Sequence, residues 1–439
     1  MTNTSIFHAY DIRGKYPEEL NEETAYAIGR AVVCHLACKE LRIGRDCRLS
    51  SPKLHAAFIS GVQDQGCTVI DIGLCSTPLL YFASKKSPAA MITASHLPPE
   101  YNGIKLCKKN AEPIGSETGL REIQDLFTKK QFKPVKKKGT LHHDNILPDY
   151  IKHCMTFAKH IKPFTIVVDA GNGMGGITCA EVFKHLPCTL IPLYFEPNGT
   201  FPNHEANPLK PENMRDLQNA VKKHHADLGV AFDADADRIL LVDEQGNIIS
   251  GDKILGLLAQ NLLHTTKNAT ILYDLRATRA LPEFITKHGG KPLQTRVGHA
   301  FIKQAMRQHN AHIGGELSGH FYFKENNFAE STDITLLMIL NLLSREEKKL
   351  SKLVQPLKTR AHSGEKSYAV PNTKETLQKL EQAFPTAHVD RLDGITLTFD
   401  TWWFNARPSQ TEPVLRLVVE ANTQQELKAR IQALEKIII

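Results

Sequence analysis

The chain has 439 residues, beyond the size at which one hydrophobic core usually stops growing, so several domains are expected. Its composition, 41% hydrophobic and 23% charged with 27 glycines and 23 prolines, is globular and excludes a disordered or low-complexity chain. Much of the net charge of +7 is lysine in KKQFKPVKKK (129–138), which reads as an exposed connection with a single aromatic and no zinc spacing; a small anionic ligand explains the localised cations as well as nucleic acid would, and nucleic-acid binding is not expected.

At the N terminus, polar Asn3 and Thr4 lead into Phe7, His8 and Asp11, with no apolar run ahead of a small-residue cleavage site. The most apolar long stretch, TLLMILNLL at 335–343, is too short to span a bilayer, so a cytoplasmic protein without a membrane partner is expected. The nine cysteines (Cys34, Cys38, Cys47, Cys67, Cys75, Cys107, Cys154, Cys179 and Cys188) form no CxxC pair and fit buried thiols in a reducing compartment. Residues 21–38 predict a helix, 41–46 a strand, 52–65 a helix, and 68–73 and 89–95 two strands. Strands alternating with helices indicate a mostly parallel sheet covered by helices. The lysine-rich stretch and HHDN (142–145) interrupt the pattern, which closes a first unit over 1–145. A second, 146–250, opens with a helix over 146–160 and a strand over 164–170. It turns through GNGMGG (171–176) into a helix and ends with strand, polar loop, strand and hairpin over 230–250. A third, 251–360, predicts helices over 251–263, 278–287, 299–309 and 331–343 and a strand over 269–275. After a linker near 345–365, the tail (361–439) predicts a small α+β domain, with helices over 374–383 and 424–437 and strands over 395–401 and 413–421.

Chemistry concentrates in four loops. In MITASHLPPEYNGIK (91–105), Ser95 falls where a strand would end, the place at which open parallel sheets present reactive groups. A serine hydroxyl needs a base, a metal or a positive field to act as a nucleophile. His96 and Lys105 are candidate helpers, and no G-x-S-x-G elbow marks a serine hydrolase. A helix cap followed by a turn is the structural alternative. DADADR (233–238) alternates Asp233, Asp235 and Asp237 behind an apolar run, so an extended loop can converge three carboxylates on one point. Their repulsion asks for a cation or several donors, and all-oxygen ligation favours Mg²⁺ working with a substrate phosphate. A solvated acidic turn is the alternative, and the EF-hand pattern lacks its glycine and terminal glutamate. GNGMGG fits a tight strand-to-helix turn better than a dinucleotide fingerprint. GGELSGHFYF (314–323) offers Glu316, Ser318 and His320 on alternating positions, a pattern suited to sugar hydroxyls. ARPSQTEPVLR (406–416) puts Arg407, Ser409, Gln410 and Thr411 in a short polar loop between strands, a candidate phosphate cradle. Either of the last two loops could equally be a surface turn, and Arg13 in AYDIRG and His299 in RVGHAF carry less local signal. Together the loops supply nucleophile, metal, sugar contacts and remote phosphate contacts, which a phosphosugar spanning a central cleft would use.

The order and spacing of AYDIRG (9–14), TASHLPPEYNGIK (93–105), DADADR, GGELSGH (314–320) and RPSQTEP (407–413) resembles the α-D-phosphohexomutase superfamily, on the side of its bacterial phosphomannomutases and phosphomannomutase/phosphoglucomutases, across essentially the whole chain. The resemblance implies a heart-shaped molecule around a central cleft: three related α/β domains with mixed sheets, plus a C-terminal α+β domain like the TATA-binding protein. It implies that Ser95 is phosphorylated, that Asp233, Asp235, Asp237 and the Ser95 phosphate hold Mg²⁺, and that Arg13, His96, Lys105, Arg238, Arg276 and His299 surround the reacting phosphate and sugar. Glu316, Ser318 and His320 match the sugar-contacting loop, and Arg407, Ser409, Gln410 and Thr411 the loop that holds the non-transferred phosphate. The implied activity interconverts mannose 6-phosphate and mannose 1-phosphate through a phosphoserine enzyme and a hexose 1,6-bisphosphate, which also serves as activator. The implied protein is a monomer or homodimer with no nucleic-acid partner. Dual mannose and glucose specificity, a phosphoglucosamine mutase and a catalytically silent sugar-phosphate-binding protein are the alternatives. The chain departs from the family pattern at Leu97 and Gln410, each in place of asparagine, at Ala234 in place of glycine, and at Arg276 in place of lysine. Arg276 keeps the charge without ready proton donation, and Ala234 requires that its backbone avoid positive φ.

Overall fold

The computed structural model describes residues 4–132, 134–409 and 414–439. Its first sheet holds β1 (Ile12–Lys15), β2 (Glu40–Arg45), β3 (Thr68–Leu74), β4 (Ala89–Ile92), β5 (Tyr101–Cys107) and β6 (Leu141–His143), in the order β1-β5-β4-β2-β3-β6. β4, β2, β3 and β6 run parallel, while β5 lies antiparallel to both β4 and β1. The sheet is therefore mixed, and the HHDN segment extends it through β6 instead of interrupting it.

The second sheet contains β7 (Thr165–Asp169), β8 (Thr189–Leu193), β9 (Leu228–Phe232), β10 (Ile239–Asp243) and β11 (Ile248–Ile249), ordered β11-β10-β9-β7-β8. The third contains β12 (Thr270–Asp274), β13 (Lys291–Thr295), β14 (Ile313–Gly315), β15 (Phe321–Phe323) and β16 (Ala329–Glu330), ordered β13-β12-β14-β15-β16. The fourth, β17 (Ala361–Tyr368), β18 (His388–Asp390), β19 (Ile395–Thr398), β20 (Trp402–Pro408) and β21 (Leu415–Ala421), is wholly antiparallel, ordered β17-β21-β20-β19-β18. Helices Thr373–Ala383 and Gln424–Ile438 accompany it.

Two further elements, both at the start of or within the tail, differ from the sequence expectation. The segment 345–365, expected as a linker, instead contains helix Leu350–Val354 and the start of β17. β17 is an edge strand whose residues, the exposed Ser367 apart, are half-buried on both faces, so it carries no apolar alternation. β20 extends through Arg407, which places that arginine on a strand and not in the loop that follows it. Six of its seven residues are buried, which again removes the period-two pattern.

All four chemistry-bearing loops turn out to be connections between antiparallel neighbours: β4 to β5 for Ser95, β9 to β10 for DADADR, β14 to β15 for Glu316–His320, and β20 to β21 for the loop after Arg407. A hairpin ties both ends of its loop to one sheet, which limits the conformations that converging polar groups must lose. The largest apolar cluster runs through Met91, Tyr150, Val230, Leu258 and Leu337 and so joins the first three units in one core. The fourth has a separate core built on Leu397, Phe404, Leu417 and Leu434. It meets the third unit through polar contacts: an Arg279 guanidinium N–H donates to Thr398 Oγ1 (2.6 Å), the Arg279 amide to Glu420 (3.1 Å) and the Val297 amide to Asp393 (3.2 Å).

Candidate active site

The four loops open on one cleft of about 710 Å³, with Ser95 and Lys105 from the first unit, Arg238 from the second, Glu316 from the third and Arg407 from the fourth on its walls. Arg13, His96, Asp237, Arg276, His299, Ser318, His320 and Ser409 line it too. Asp233 and Asp235 lie fully buried behind them.

β4 stops at Ile92, short of the strand expected to reach Ser95, and the chain then folds so that Ser95 sits at φ 52° with 1% exposure. A left-handed conformation costs a non-glycine residue roughly 1 kcal/mol, so the surroundings must hold it. They do so through Arg48, a fully buried side chain. Its guanidinium donates to the carbonyls of Ser95 (2.6 Å), Leu97 (2.6 Å), Pro98 (2.7 Å) and Tyr101 (3.0 Å), while Nε lies 3.2 Å from Asp46. The Ser95 amide donates to Thr93 Oγ1 at 3.0 Å. Because Arg48 anchors the backbone on both sides of position 97, Leu97 leaves the loop held without a polar side chain of its own. Ser95 Oγ donates to Asp233 Oδ2 at 2.9 Å and lies 3.3 Å from His96 Nδ1. Burial, with Arg238 and Arg13 nearby, pulls His96 well below the usual imidazole range and keeps it neutral.

Asp233, Asp235 and Asp237 each present an oxygen within 4.8 Å of the others. Lys105 Nζ donates to Asp235 (2.6 Å) and Asp237 (2.5 Å), and Thr77 Oγ1 donates to Asp235 (2.6 Å). Burial and the two sister carboxylates push Asp233 up to about 8. Burial acts the same way on Asp237, but Lys105 and His320 outweigh it and hold that group well below the carboxylate range. Asp235 retains a buried Oδ1 with no hydrogen-bond partner. An all-oxygen set with an unspent buried acceptor fits a hard divalent cation. Ala234 is not among the residues at positive φ, so it meets the condition set by the absent glycine; the left-handed residue in this loop is Ala236, at φ 57°.

The sugar-type loop docks on the metal-type loop. The Ile239 amide donates to the Gly319 carbonyl at 3.0 Å. Gly319 lies at φ 91°, and an added Cβ would come within 2.8 Å of the Ile239 carbonyl oxygen, so glycine is required there. His320 reaches Asp237 through Nε2 (3.3 Å) and Glu316 through Nδ1 (3.0 Å). Burial lowers its affinity for a proton, but the two carboxylates outweigh that and raise it to about 9, so the ring is cationic at neutral pH. Glu316 accepts from Tyr322 (2.7 Å) and from the Gly298 amide (3.0 Å), and Ser318 Oγ lies 3.1 Å from His320 Nδ1. His299 begins helix His299–Gln308 beside Tyr10, with ring centroids 5.4 Å apart, and burial pulls it well below the usual range.

On the wall shared by the third and fourth units, Arg276 donates to Asp274 through Nε (3.1 Å) and a terminal N–H (2.6 Å). Arg407 and Arg276 both reach Glu365, and the Ser409 amide donates to the Val414 carbonyl at 2.9 Å. Arg13 pairs with Asp11 at 2.7 Å. Gln410 and Thr411 fall outside the described residues. Sequence reasoning missed Tyr10, Arg48, Thr77, Tyr322 and Glu365. The arginine between two acidic or hydroxyl residues at the end of β2, in RDCRLSS (45–51), is the one local signal that could have flagged Arg48.

Four family models match the chain in order. They describe phosphoglucomutase/phosphomannomutase alpha/beta/alpha domain I over residues 4–134, domain II over 148–246, domain III over 250–360 and the C-terminal domain over 369–437. A phosphomannomutase of Escherichia coli is 40% identical, with 97% of each chain covered. One of Vibrio cholerae serotype O1 is 39% identical, covering 100% of this chain and 99% of its own. The crystal structure of a phosphoglucomutase/phosphomannomutase family protein from Burkholderia thailandensis superposes with a TM-score of 0.91 at 32% identity, covering 99% of this chain and 97% of its own.

Proposed function

The chain belongs to the phosphoglucomutase/phosphomannomutase family, and from that premise we propose that it is a phosphomannomutase, an intramolecular phosphotransferase interconverting mannose 6-phosphate and mannose 1-phosphate. The observation that carries the assignment of roles is Ser95 Oγ at 2.9 Å from Asp233, in a cleft that Arg407 of the fourth unit also lines.

Phosphorylated on Ser95, the enzyme passes the phosphoryl group to a hydroxyl of the bound hexose phosphate. The P–O bond to Ser95 breaks, a P–O bond to the sugar oxygen forms, and the proton lost by the sugar hydroxyl is made good at the serine oxygen, which becomes a hydroxyl again. Neutral His96, 3.3 Å from Ser95 Oγ, can relay that proton, while the nearer Asp233, at 2.9 Å, would be committed to the metal. Asp233, Asp235 and Asp237, with the Ser95 phosphate, would hold Mg²⁺, which neutralises phosphoryl charge when bound. Lys105 and Arg238 add fixed positive charge beside the same carboxylates. Glu316, Ser318 and His320 bind sugar hydroxyls, and Arg407, Ser409, Gln410 and Thr411 hold the phosphate that is not transferred. The hexose 1,6-bisphosphate turns over in the cleft and Ser95 recovers the other phosphate; added bisphosphate primes unphosphorylated enzyme. Arg276 is bound to Asp274 by two N–H groups and acts as a fixed cation, not a proton donor.

The test is Ser95→Ala assayed on mannose 1-phosphate with activating bisphosphate, alongside mass analysis for phosphate on the wild-type chain. Loss of turnover and of the covalent phosphate is the expected result. Turnover within a fewfold of wild type would overturn the assignment. Glucose and glucosamine phosphates run in parallel; a kcat/KM on glucose 6-phosphate equal to that on mannose 6-phosphate replaces this assignment with dual specificity.

A further inference from the structure

The polar junction between the third and fourth units contains a carboxylate that no sequence motif marks. β17 shifts register against β21 between His362 and Glu365, an irregularity that re-aims a side chain out of the ladder, and Glu365 faces the cleft. Its Oε1 accepts from an Arg407 terminal N–H at 2.6 Å, and its Oε2 from Arg276 at 3.3 Å. The two guanidiniums belong to different units. His362 Nε2 lies 2.9 Å from the Arg276 carbonyl oxygen, so the register shift itself is tied to the third unit. Arg407 is 5% exposed and keeps a buried Nε with no hydrogen-bond partner. Burial of Glu365 is outweighed by Arg276 and Arg407, which hold its carboxyl at about 2, so it is an anion throughout the working range.

A carboxylate that bridges two guanidiniums makes the contacts that two phosphate oxygens would make. We propose that Glu365 is a resident anion at the phosphate end of the cleft: it holds Arg276 and Arg407 in place when the cleft is empty, and the non-transferred phosphate displaces it from Arg407. The proposal deepens the mutase assignment and rests on it. A mutase must loosen its hold on its bisphosphate intermediate, let it turn over in the cleft and bind it again the other way round. Phosphate binding that is equally tight in every state slows that cycle without helping the chemistry. An internal competitor weakens phosphate binding while keeping the arginines pre-organised. It also couples occupancy to the junction, because displacing Glu365 breaks the Arg276–Glu365–Arg407 link between the two units.

The probe is inorganic phosphate, titrated calorimetrically into unphosphorylated, metal-free wild type, Glu365→Gln, Arg407→Met and the double variant, with mannose as a phosphate-free control. Glu365→Gln is expected to bind phosphate about tenfold more tightly, the scale of one freed charge-assisted hydrogen bond, and to lose that gain when Arg407 is absent. Equal or weaker binding by Glu365→Gln, or a gain that persists without Arg407, overturns the proposal. A second measurement needs no variant: in wild-type crystals grown with phosphate, an anion on Arg407 should be seen with the Glu365 contact broken. Phosphate seated on Arg407 with that contact intact overturns it. Neither arm depends on turnover, so the mutase assignment fails through Ser95→Ala and this proposal through phosphate affinity.

Discussion

One guanidinium controls the geometry of the nucleophile. Arg48 satisfies four carbonyls of the Ser95 loop and holds the left-handed Ser95 that those contacts impose. Replacing it by lysine supplies charge but only three donors from a single atom, which cannot reach four divergent oxygens. Arg48→Lys is therefore expected to lower kcat by about a hundredfold, the scale for misplacing a reacting group by about an ångström, with KM changing far less. A loss confined to KM would place Arg48 with the substrate contacts instead. Residue-scale legibility follows the same division. Ser95, Lys105 and the three aspartates were readable because their chemistry is written in side chains of unusual type and spacing. Arg48, Thr77 and Glu365 were not, because each acts on backbone or on a partner distant in sequence: Thr77 meets Asp235 158 positions away. Nor could the sequence around Leu97 show what holds its carbonyl, since the donor, Arg48, lies far upstream in the chain.

At the scale of elements, the glycine-rich turn shows how a structural motif serves a chemical one. GNGMGG was legible as a strand-to-helix turn, and helix Gly175–Phe183 follows β7 as that reading requires. What it leans on was not legible. The Met174 amide donates to the Ala234 carbonyl at 2.7 Å, and a Cβ on Gly173 would come within 2.4 Å of that same oxygen. The turn is thus the back support of the aspartate loop, and glycine at 173 permits the approach. Gly173→Ala should push Ala234 and the flanking aspartates forward. Mg²⁺ affinity measured by calorimetry is expected to fall about tenfold, the scale for disturbing an outer-shell partner of a metal ligand. Unchanged Mg²⁺ binding in a folded Gly173→Ala would detach the turn from the metal loop. Edge strands β13 and β17 and the buried β20 escaped notice because their neighbours, and not an alternating sequence, decide which faces are covered.

Across the whole molecule, one apolar core joins the first three units, a second cluster fills the other face of the first unit's sheet, and the fourth unit has its own core, joined to the third by polar contacts, so unfolding should proceed in two cooperative steps. Asp333 tests which residues belong to the shared core. It sits in the first turn of helix Thr332–Glu346 with 1% exposure, and accepts from Tyr150 of helix Leu147–Met155, across the boundary of the second and third units, at 2.8 Å. Burial pushes its carboxyl up from 3.8 to about 6. Between those values the folded state keeps a proton that the unfolded chain has lost, so this group's contribution falls as pH rises through that window. Above it, an ionised carboxylate is held in the core at a cost. Asp333→Asn keeps an acceptor for Tyr150 and removes the charge. At pH 7.5 it is expected to raise the melting temperature of the three-unit transition by about 2 °C, corresponding to roughly 1 kcal/mol in a unit of this size, and to leave the fourth unit's transition unmoved. At pH 5 the gain should shrink, because the wild-type carboxyl is by then largely protonated. A melting temperature lowered at pH 7.5 would mean that the helix N-terminus stabilises the carboxylate more than burial penalises it. A shift shared equally by both transitions would mean that the fourth unit is coupled to the common core more tightly than its polar contacts provide.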